Sequence, residues 1–391
     1  MIYLDNAATT KIHPEVLSVM DACAEQAFAN PGSIHSAGWY AKQLVEEARA
    51  QVAKVVRADP QNIIFTSGGS EANALALLGA ADHLREAGRT HILISSIEHK
   101  SVLNCGKRLT ELGFDVEYIP ATETGKIDPN IVLSMVRPET GLVSVMKVNN
   151  ETGVVNEIQR IAEHCHSKGI LFHTDCVQAY GKWYINVTET PIDFLSVSAH
   201  KLHGPKGVGC LYARDRSILK PLIPGGSQEF GLRAGTENVQ GIVGFGKAAE
   251  ISQRDWAQEG DEPEPDKTVE CRGVYDLLTH VRLKLKDICH VNGAPPLFGL
   301  ICSLRFDGVS GESLVLLLSS KGVMVSAGSA CTSNSNKPSH VLKAMGLTDE
   351  EARSSIRISV AEGLTARQTD EAAEAIVSSV LELRKAAGYK D

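Results

Sequence analysis

The fold is decided by one stretch: Leu142-Val143-Ser144-Val145-Met146, then Ile158-Gln159-Arg160-Ile161-Ala162-Glu163, then Ile170-Leu171-Phe172-His173-Thr174. Two short apolar runs flank a segment whose apolar residues recur at helical spacing. Strands that are apolar at consecutive positions are buried on both faces, so this reads as a βαβ unit of a mostly parallel sheet covered by helices. The alternation extends outward, from about Pro14 to Arg214. Upstream lie the run Asn62-Ile63-Ile64-Phe65-Thr66, a helix-forming segment from Glu71 to Glu86, and a strand His91-Ile92-Leu93-Ile94-Ser95-Ser96. Downstream, an apolar strand runs from Asp193 towards Ser198. Ligands of such sheets bind beyond the carboxyl ends of the strands, so the informative residues should follow each apolar run.

The 391 residues are 43% hydrophobic and 22% charged, which excludes collagen-like, disordered and membrane-spanning classes. At roughly 150 residues per domain, two domains are expected. A net charge of −8 argues against non-specific nucleic-acid binding, and no direct nucleic-acid contact is expected. No apolar run approaches the roughly 18 residues that span a bilayer. Met1-Ile2-Tyr3-Leu4-Asp5 has neither the basic start nor the apolar core of a targeting segment. Nine scattered cysteines without a C-x-x-C pair indicate reduced thiols, so a cytoplasmic location is expected. Residues 259–266 (EGDEPEPD) read as an exposed linker or loop. Beyond them the pattern gives a helix over 273–288, a strand over 300–306, a helix through Leu314-Leu318, strands near 323–325 and 355–359, and a last helix over 365–387 with Thr365 as N-cap. This is a smaller α+β domain.

Four strand ends carry candidate chemistry. The strand ending at Ser198 runs into His200, Lys201 and the turn Gly204-Pro205-Lys206-Gly207. A desolvated lysine there titrates low and attacks aldehydes, while an ordinary loop lysine fits the same position. Ile170–Thr174 runs into Asp175, Cys176, Val177 and Gln178. A buried acid there can hold a pyridinium nitrogen protonated, or simply cap a helix. Ser67-Gly68-Gly69-Ser70 joins a strand to a helix start and can cradle a phosphate, although it is neither a dinucleotide fingerprint nor a Walker loop. Ile97-Glu98-His99-Lys100-Ser101 offers a histidine able to stack on a flat ring and shuttle protons, or to serve structure alone. Arg357, inside the apolar strand Ser355-Ile356-Arg357-Ile358-Ser359, needs an anionic partner: a substrate carboxylate or a structural acid. Ser326 to Pro338 is small and polar and carries one thiol, Cys331, placed as a loop nucleophile. Cys176 is expected to fill space. His164-Cys165-His166 lies in an amphipathic helix without a fourth ligand, so no metal is expected.

Together these segments, with Tyr3-Leu-Asp-Asn-Ala-Ala-Thr-Thr10, Asn30-Pro-Gly-Ser33, Asn149-Asn-Glu-Thr-Gly153, Arg233-Ala-Gly-Thr236 and Gly328-Ser-Ala-Cys331, resemble the NifS/IscS-like cysteine desulfurases of the class V aminotransferase family. The resemblance covers essentially the whole chain. It implies the α/β fold type I of pyridoxal-phosphate-dependent transferases. Residues 14–256 would form the large domain with a mostly parallel seven-stranded sheet. Residues 1–13 and 257–391 would form the small domain carrying the catalytic cysteine loop. The implied cofactor is pyridoxal 5′-phosphate, linked to Lys201, with Asp175 at its ring nitrogen, Gln178 at its ring hydroxyl and His99 over the ring. Gly69, Ser70, Ser198 and His200 would bind its phosphate, joined by Thr236 of a second subunit in a homodimer. Asn150 and Arg357 would hold the carboxylate of the substrate, L-cysteine. Cys331 would take the sulfur as a persulfide and pass it to a thiol-bearing acceptor protein. The chain ends just past its last helix, where IscS enzymes carry a further segment for docking the iron–sulfur scaffold. Acceptors in iron–sulfur, tRNA-thiolation and DNA-phosphorothioation pathways therefore all stay open. A selenocysteine lyase shares the same site. A non-catalytic sulfur-pathway assembly protein is the reading from a different class, and the intact Lys201, Asp175, His99 and Cys331 argue against it.

Overall fold

The structure is a computed structural model that describes residues 1–258, 272–294, 298–328, 337–360 and 364–389. Cys331 and the acidic stretch 259–266 lie outside the described residues. The strands are β1 (Ile2–Tyr3), β2 (Ile63–Thr66), β3 (His91–Ser95), β4 (Asp115–Ile119), β5 (Thr140–Ser144), β6 (Leu171–Asp175), β7 (Phe194–Ser198), β8 (Gly209–Ala213), β9 (Cys289–Val291), β10 (Ile301–Phe306), β11 (Val323–Met324) and β12 (Ser355–Ser359).

Seven strands form the central sheet in the order β2-β8-β7-β6-β5-β3-β4. Only β8 runs against its neighbours, and the other pairings are parallel. Strands β2, β3, β5, β6 and β7 therefore deliver their carboxyl ends to one edge. The inner strands β5 and β7 are buried at every position, as continuous apolar runs require, while edge strand β4 buries only Ile119. A polar rung crosses three of the parallel strands: His173 on β6 meets Ser144 Oγ on β5 at 2.8 Å and Ser196 Oγ on β7 at 3.1 Å. Burial pushes that imidazole down to about 3, so the rung is neutral at ordinary pH.

The C-terminal part forms an antiparallel sheet in the order β12-β10-β9. Residues 2–7 fold back onto it. Strand β1 pairs with β11, the Leu4 N–H donates to Met324 O, and Leu4 O accepts from the Ser359 N–H, each at 2.8 Å. The final helix, Ala366–Ala386, begins with Thr365 in a full capping box with Gln368.

Two expected helices differ. The segment 71–86 is two helices, Gly69–Gly79 and Ala81–Glu86. The Lys220 N–H donates to Gly79 O at 2.9 Å, and a Cβ at Gly79 would sit 3.0 Å from Lys220 O. A chain docked from outside the helix thus claims the carbonyl at which it breaks. The helix expected over 273–288 is Arg272–Lys284, followed by the three-residue strand β9.

Candidate active site

The shared carboxyl edge of the sheet opens into a cavity of about 230 Å³. Gly69, Ser70, His99, Asn150, Asp175, Gln178, Ser198, His200, Lys201 and Arg357 all line it. Ala7, Ala8, Asn73, Met146 and Val177 complete its wall. Thr236 is exposed and does not line this cavity.

Lys201 closes the 3₁₀ turn Ala199–Lys201 that follows β7. Its Nζ donates to Ala8 O at 2.6 Å and to Ala7 O, so two backbone carbonyls of the N-terminal stretch fix the amine. Gln178 Nε2 donates to the same Ala7 O at 2.9 Å. Asp175 ends β6 and is buried. Its Oδ1 accepts from the Val177 N–H at 2.9 Å and its Oδ2 from Asn73 Nδ2 at 2.8 Å. Both donors are neutral, and a buried carboxylate so placed suits a cationic partner in the cavity.

At the end of β2, Gly68 takes φ +153° and ψ −177°, a conformation that is essentially glycine's alone. The helix Gly69–Gly79 starts there without a side-chain cap, so its first N–H groups and its dipole suit an anion. The space is tight on the protein side. A Cβ at Gly69 would meet Val177 Cγ2 at 2.6 Å, and one at Gly209 would meet Val197 O at 2.3 Å and the Gly68 Cα at 2.8 Å. Ser198 and His200 close the cradle, and His200 Nδ1 lies 3.2 Å from Thr9 Oγ1. Burial, then the charges of Lys201, Lys206 and Lys182, push His200 down to about 4, so it enters as a neutral ring. Beneath β2, Glu229 holds Arg49 through both oxygens at 2.8 Å and accepts the Phe65 N–H at 2.7 Å.

Arg357 is almost fully buried and already has an acid: Nη2 donates to Asp5 Oδ1 at 2.6 Å, and Nη1 donates to Asn150 O at 3.0 Å. Of the two partners open to it on sequence grounds, the structural acid is present, and the guanidinium also lines the cavity. Asp5, Ala7, Ala8 and Asn73 are site residues to which sequence reasoning gave no role. The only signal for the first three was the Tyr3–Thr10 motif itself. Cys176 is buried behind Asp175, and burial pushes its thiol up to about 12, as suits a space-filling residue.

An amine at a strand end, a buried carboxylate with neutral donors and an uncapped helix start around one cavity are the donor set for a flat, phosphorylated, aldehyde-bearing pyridine. They define a pyridoxal-phosphate enzyme of the α/β type. The chain belongs to the aminotransferase class-V family, which it matches over residues 2–371. Within that family it falls among the cysteine desulfurases. It is 42% identical over 389 residues to the mitochondrial cysteine desulfurase of Arabidopsis thaliana, covering 98% of this chain and 83% of that one. A solved NifS-like protein superposes with a TM-score of 0.86 at 33% identity, over 96% of this chain and 98% of that one. SspA, solved in complex with cysteine, gives a TM-score of 0.80 at 36% identity, over 92% of this chain and 99% of that one. Pyridoxal 5′-phosphate is the family's cofactor, and the residues of the cavity fit it.

Proposed function

We propose that this enzyme converts L-cysteine to L-alanine, leaves the sulfur on Cys331 as a persulfide and passes it to a thiol-bearing acceptor protein. The observation that carries this reading is the convergence of Lys201, Asp175, His99 and Arg357 on one cavity. When bound, the cofactor supplies an electron sink for the substrate α-carbon. Lys201 would be its covalent anchor, and the freed Nζ would hold and move a proton. Asp175 would hold the ring nitrogen, Gln178 the ring hydroxyl and His99 the ring face. Gly69, Ser70, Ser198 and His200 hold the phosphate. Arg357, oriented by Asp5, and Asn150 fix the substrate carboxylate. The sulfur step balances without an outside oxidant. The Cys331 sulfur bonds to the substrate sulfur, the substrate C–S bond breaks, and carbon gains the hydrogen that completes the methyl of alanine.

A homodimer is the assembly proposed, with Thr236 completing the partner's phosphate site. An apolar flank supports it. Phe28 is 82% exposed, Ile34 fully exposed and Trp39 65% exposed. The exposed Phe230 ring lies over Arg49, on the helix Ser36–Val55 that carries Trp39. The location proposed is the cytoplasm. Among the described residues, no helix is long and apolar enough to cross a membrane.

The test is direct. The purified protein should show a visible cofactor band that Lys201→Ala loses. Cys331→Ser should keep the band and bind cysteine, yet release no sulfide. Turnover of cysteine by Cys331→Ser at the wild-type rate would remove Cys331 from the mechanism. Following labelled sulfur into co-purifying thiol proteins identifies the acceptor.

A further inference from the structure

We propose that Ser101 is a positioning residue that sets the tautomer of His99, so that the neutral ring carries its proton on Nε2 and acts as a hydrogen-bond donor rather than as a base. This deepens the desulfurase reading and rests on it for its functional meaning.

A chain of hydrogen bonds links Asp175 to His99. Asp175 Oδ2 can only accept while ionised, so the Asn73 amide must turn its nitrogen towards it, at 2.8 Å. The same Asn73 Nδ2 reaches Ser101 Oγ at 2.9 Å, and Ser101 therefore accepts there. Having accepted from Asn73, the Ser101 hydroxyl has its own proton to give, and His99 Nδ1 stands 2.8 Å away. The backbone N–H of Ser101 also donates to that nitrogen, at 3.2 Å, because His99 caps the helix Lys100–Glu111. A ring nitrogen that accepts from two donors keeps its lone pair. The proton of the neutral ring is thus on Nε2, the nitrogen not engaged with Ser101.

The consequence is a division of labour. A neutral ring whose Nε2 bears the proton has no lone pair left there to accept another. It can hydrogen-bond to a negative or developing charge, while proton uptake falls to the Lys201 amine. The carboxylate that faces the cofactor nitrogen and the histidine over the cofactor ring thereby belong to one network, joined by Asn73 and Ser101. Asn73 Oδ1 is buried with no partner among the described residues, and reversing the amide would set that oxygen against the Asp175 carboxylate and lose the bond between them.

The test reads the ring directly and needs no cofactor. Nitrogen-15 spectra of histidine-labelled apoprotein, with His99 assigned from a His99→Gln sample, should show an unprotonated Nδ1 and a protonated Nε2. A proton on Nδ1 overturns the proposal whatever the enzyme turns over. In the loaded enzyme, Ser101→Ala should lower kcat for cysteine about fivefold, the worth of one hydrogen bond of about 1 kcal/mol, with KM unchanged. Ser101→Thr, which restores the hydroxyl, should recover it and the wild-type pH profile. A Ser101→Ala enzyme with wild-type kcat and pH profile also overturns it. Correct nitrogen-15 spectra in a protein that fails to turn over cysteine would instead overturn the desulfurase reading alone.

Discussion

Glu98 is a carboxyl group that the fold keeps protonated, and replacing it with glutamine should change how stability depends on pH. Its Oε1 accepts from Ser95 Oγ and from the Met146 N–H, each at 2.6 Å. Its Oε2 is buried with no partner among the described residues. Burial pushes the group up to about 8. The charge of Asp175 acts in the same direction, and the bonds from Ser95 and Met146 oppose it. The folded protein therefore keeps a proton that the unfolded chain gives up above its ordinary value of 4.5. Stability that is fully present below about 4.5 is lost as the pH rises towards about 8, and is constant above that. From pH 5 to pH 8, about three pH units at about 1.4 kcal/mol each give on the order of 4 kcal/mol. Glu98→Gln keeps the shape and the Oε1 acceptor but has no proton to lose. With about 2 cal/mol/K of unfolding entropy per residue over 391 residues, 4 kcal/mol corresponds to about 5 °C. Thermal melts of both proteins at pH 5 and pH 8 should show the variant gaining about 5 °C on the wild type between the two conditions. If the two melting temperatures instead move in parallel, to within about 1 °C, Glu98 is ionised in the fold and the reasoning fails.

Three further outcomes follow from the geometry. Glu229→Gln removes the buried one of the two carboxylates on Arg49, leaving the half-exposed Glu46, and should cost about 1.5 to 3 kcal/mol, read as a melting temperature lower by about 2 to 4 °C. His173, held neutral down to about pH 3, destabilises the fold as the pH falls from 6.5, because only the unfolded chain takes up the proton. His173→Gln should therefore flatten the acid limb of the stability profile in the same melts. Arg357→Lys loses the planar fork. It should raise KM for cysteine about tenfold or more in steady-state kinetics, since even one charge-assisted bond contributes about 1.5 to 3 kcal/mol, while the visible cofactor band stays intact.

The site was legible because its residues follow continuously apolar strands. Asp175 ends β6, Ser198 ends β7 with Lys201 one turn on, and His99 follows β3 by four residues. A fully buried strand writes itself into the sequence as an unbroken apolar run, and the first polar residues after it mark the carboxyl edge. Strands without such runs went unread. Edge strand β4, Asp115–Ile119, buries only Ile119, and β9 has only three residues. The break between the helices Gly69–Gly79 and Ala81–Glu86 is set by Lys220, more than a hundred residues away, and no local pattern records it. The same is true of Asp5. Its pairing with Arg357 spans 352 residues, so the arginine announced that it needed an anion without saying which one.

That pairing gives the N-terminal stretch a mechanical part in the site. Leu4 is bonded on one side to Met324 of β11 and on the other to Ser359 of β12. Asp5, the next residue, holds the arginine proposed for the substrate carboxylate. Ala7 and Ala8, two and three residues further on, hold Lys201 through their carbonyls, and Thr10 bonds His200 O through both its N–H and its hydroxyl at 3.0 Å. Residues 5–8, a turn closed by the Ala8 N–H donating to Asp5 O at 3.0 Å, thus connect the acid on Arg357 to the carbonyls that hold the Lys201 amine. A β-turn brings its first and fourth Cα atoms within about 7 Å, so Asp5 and Ala8 are held close together. Backbone carbonyls do the holding at Lys201, so side-chain substitution at Ala7 or Ala8 leaves those acceptors in place. One turn of chain thus touches both Arg357 of the C-terminal sheet and Lys201 at the end of the central one.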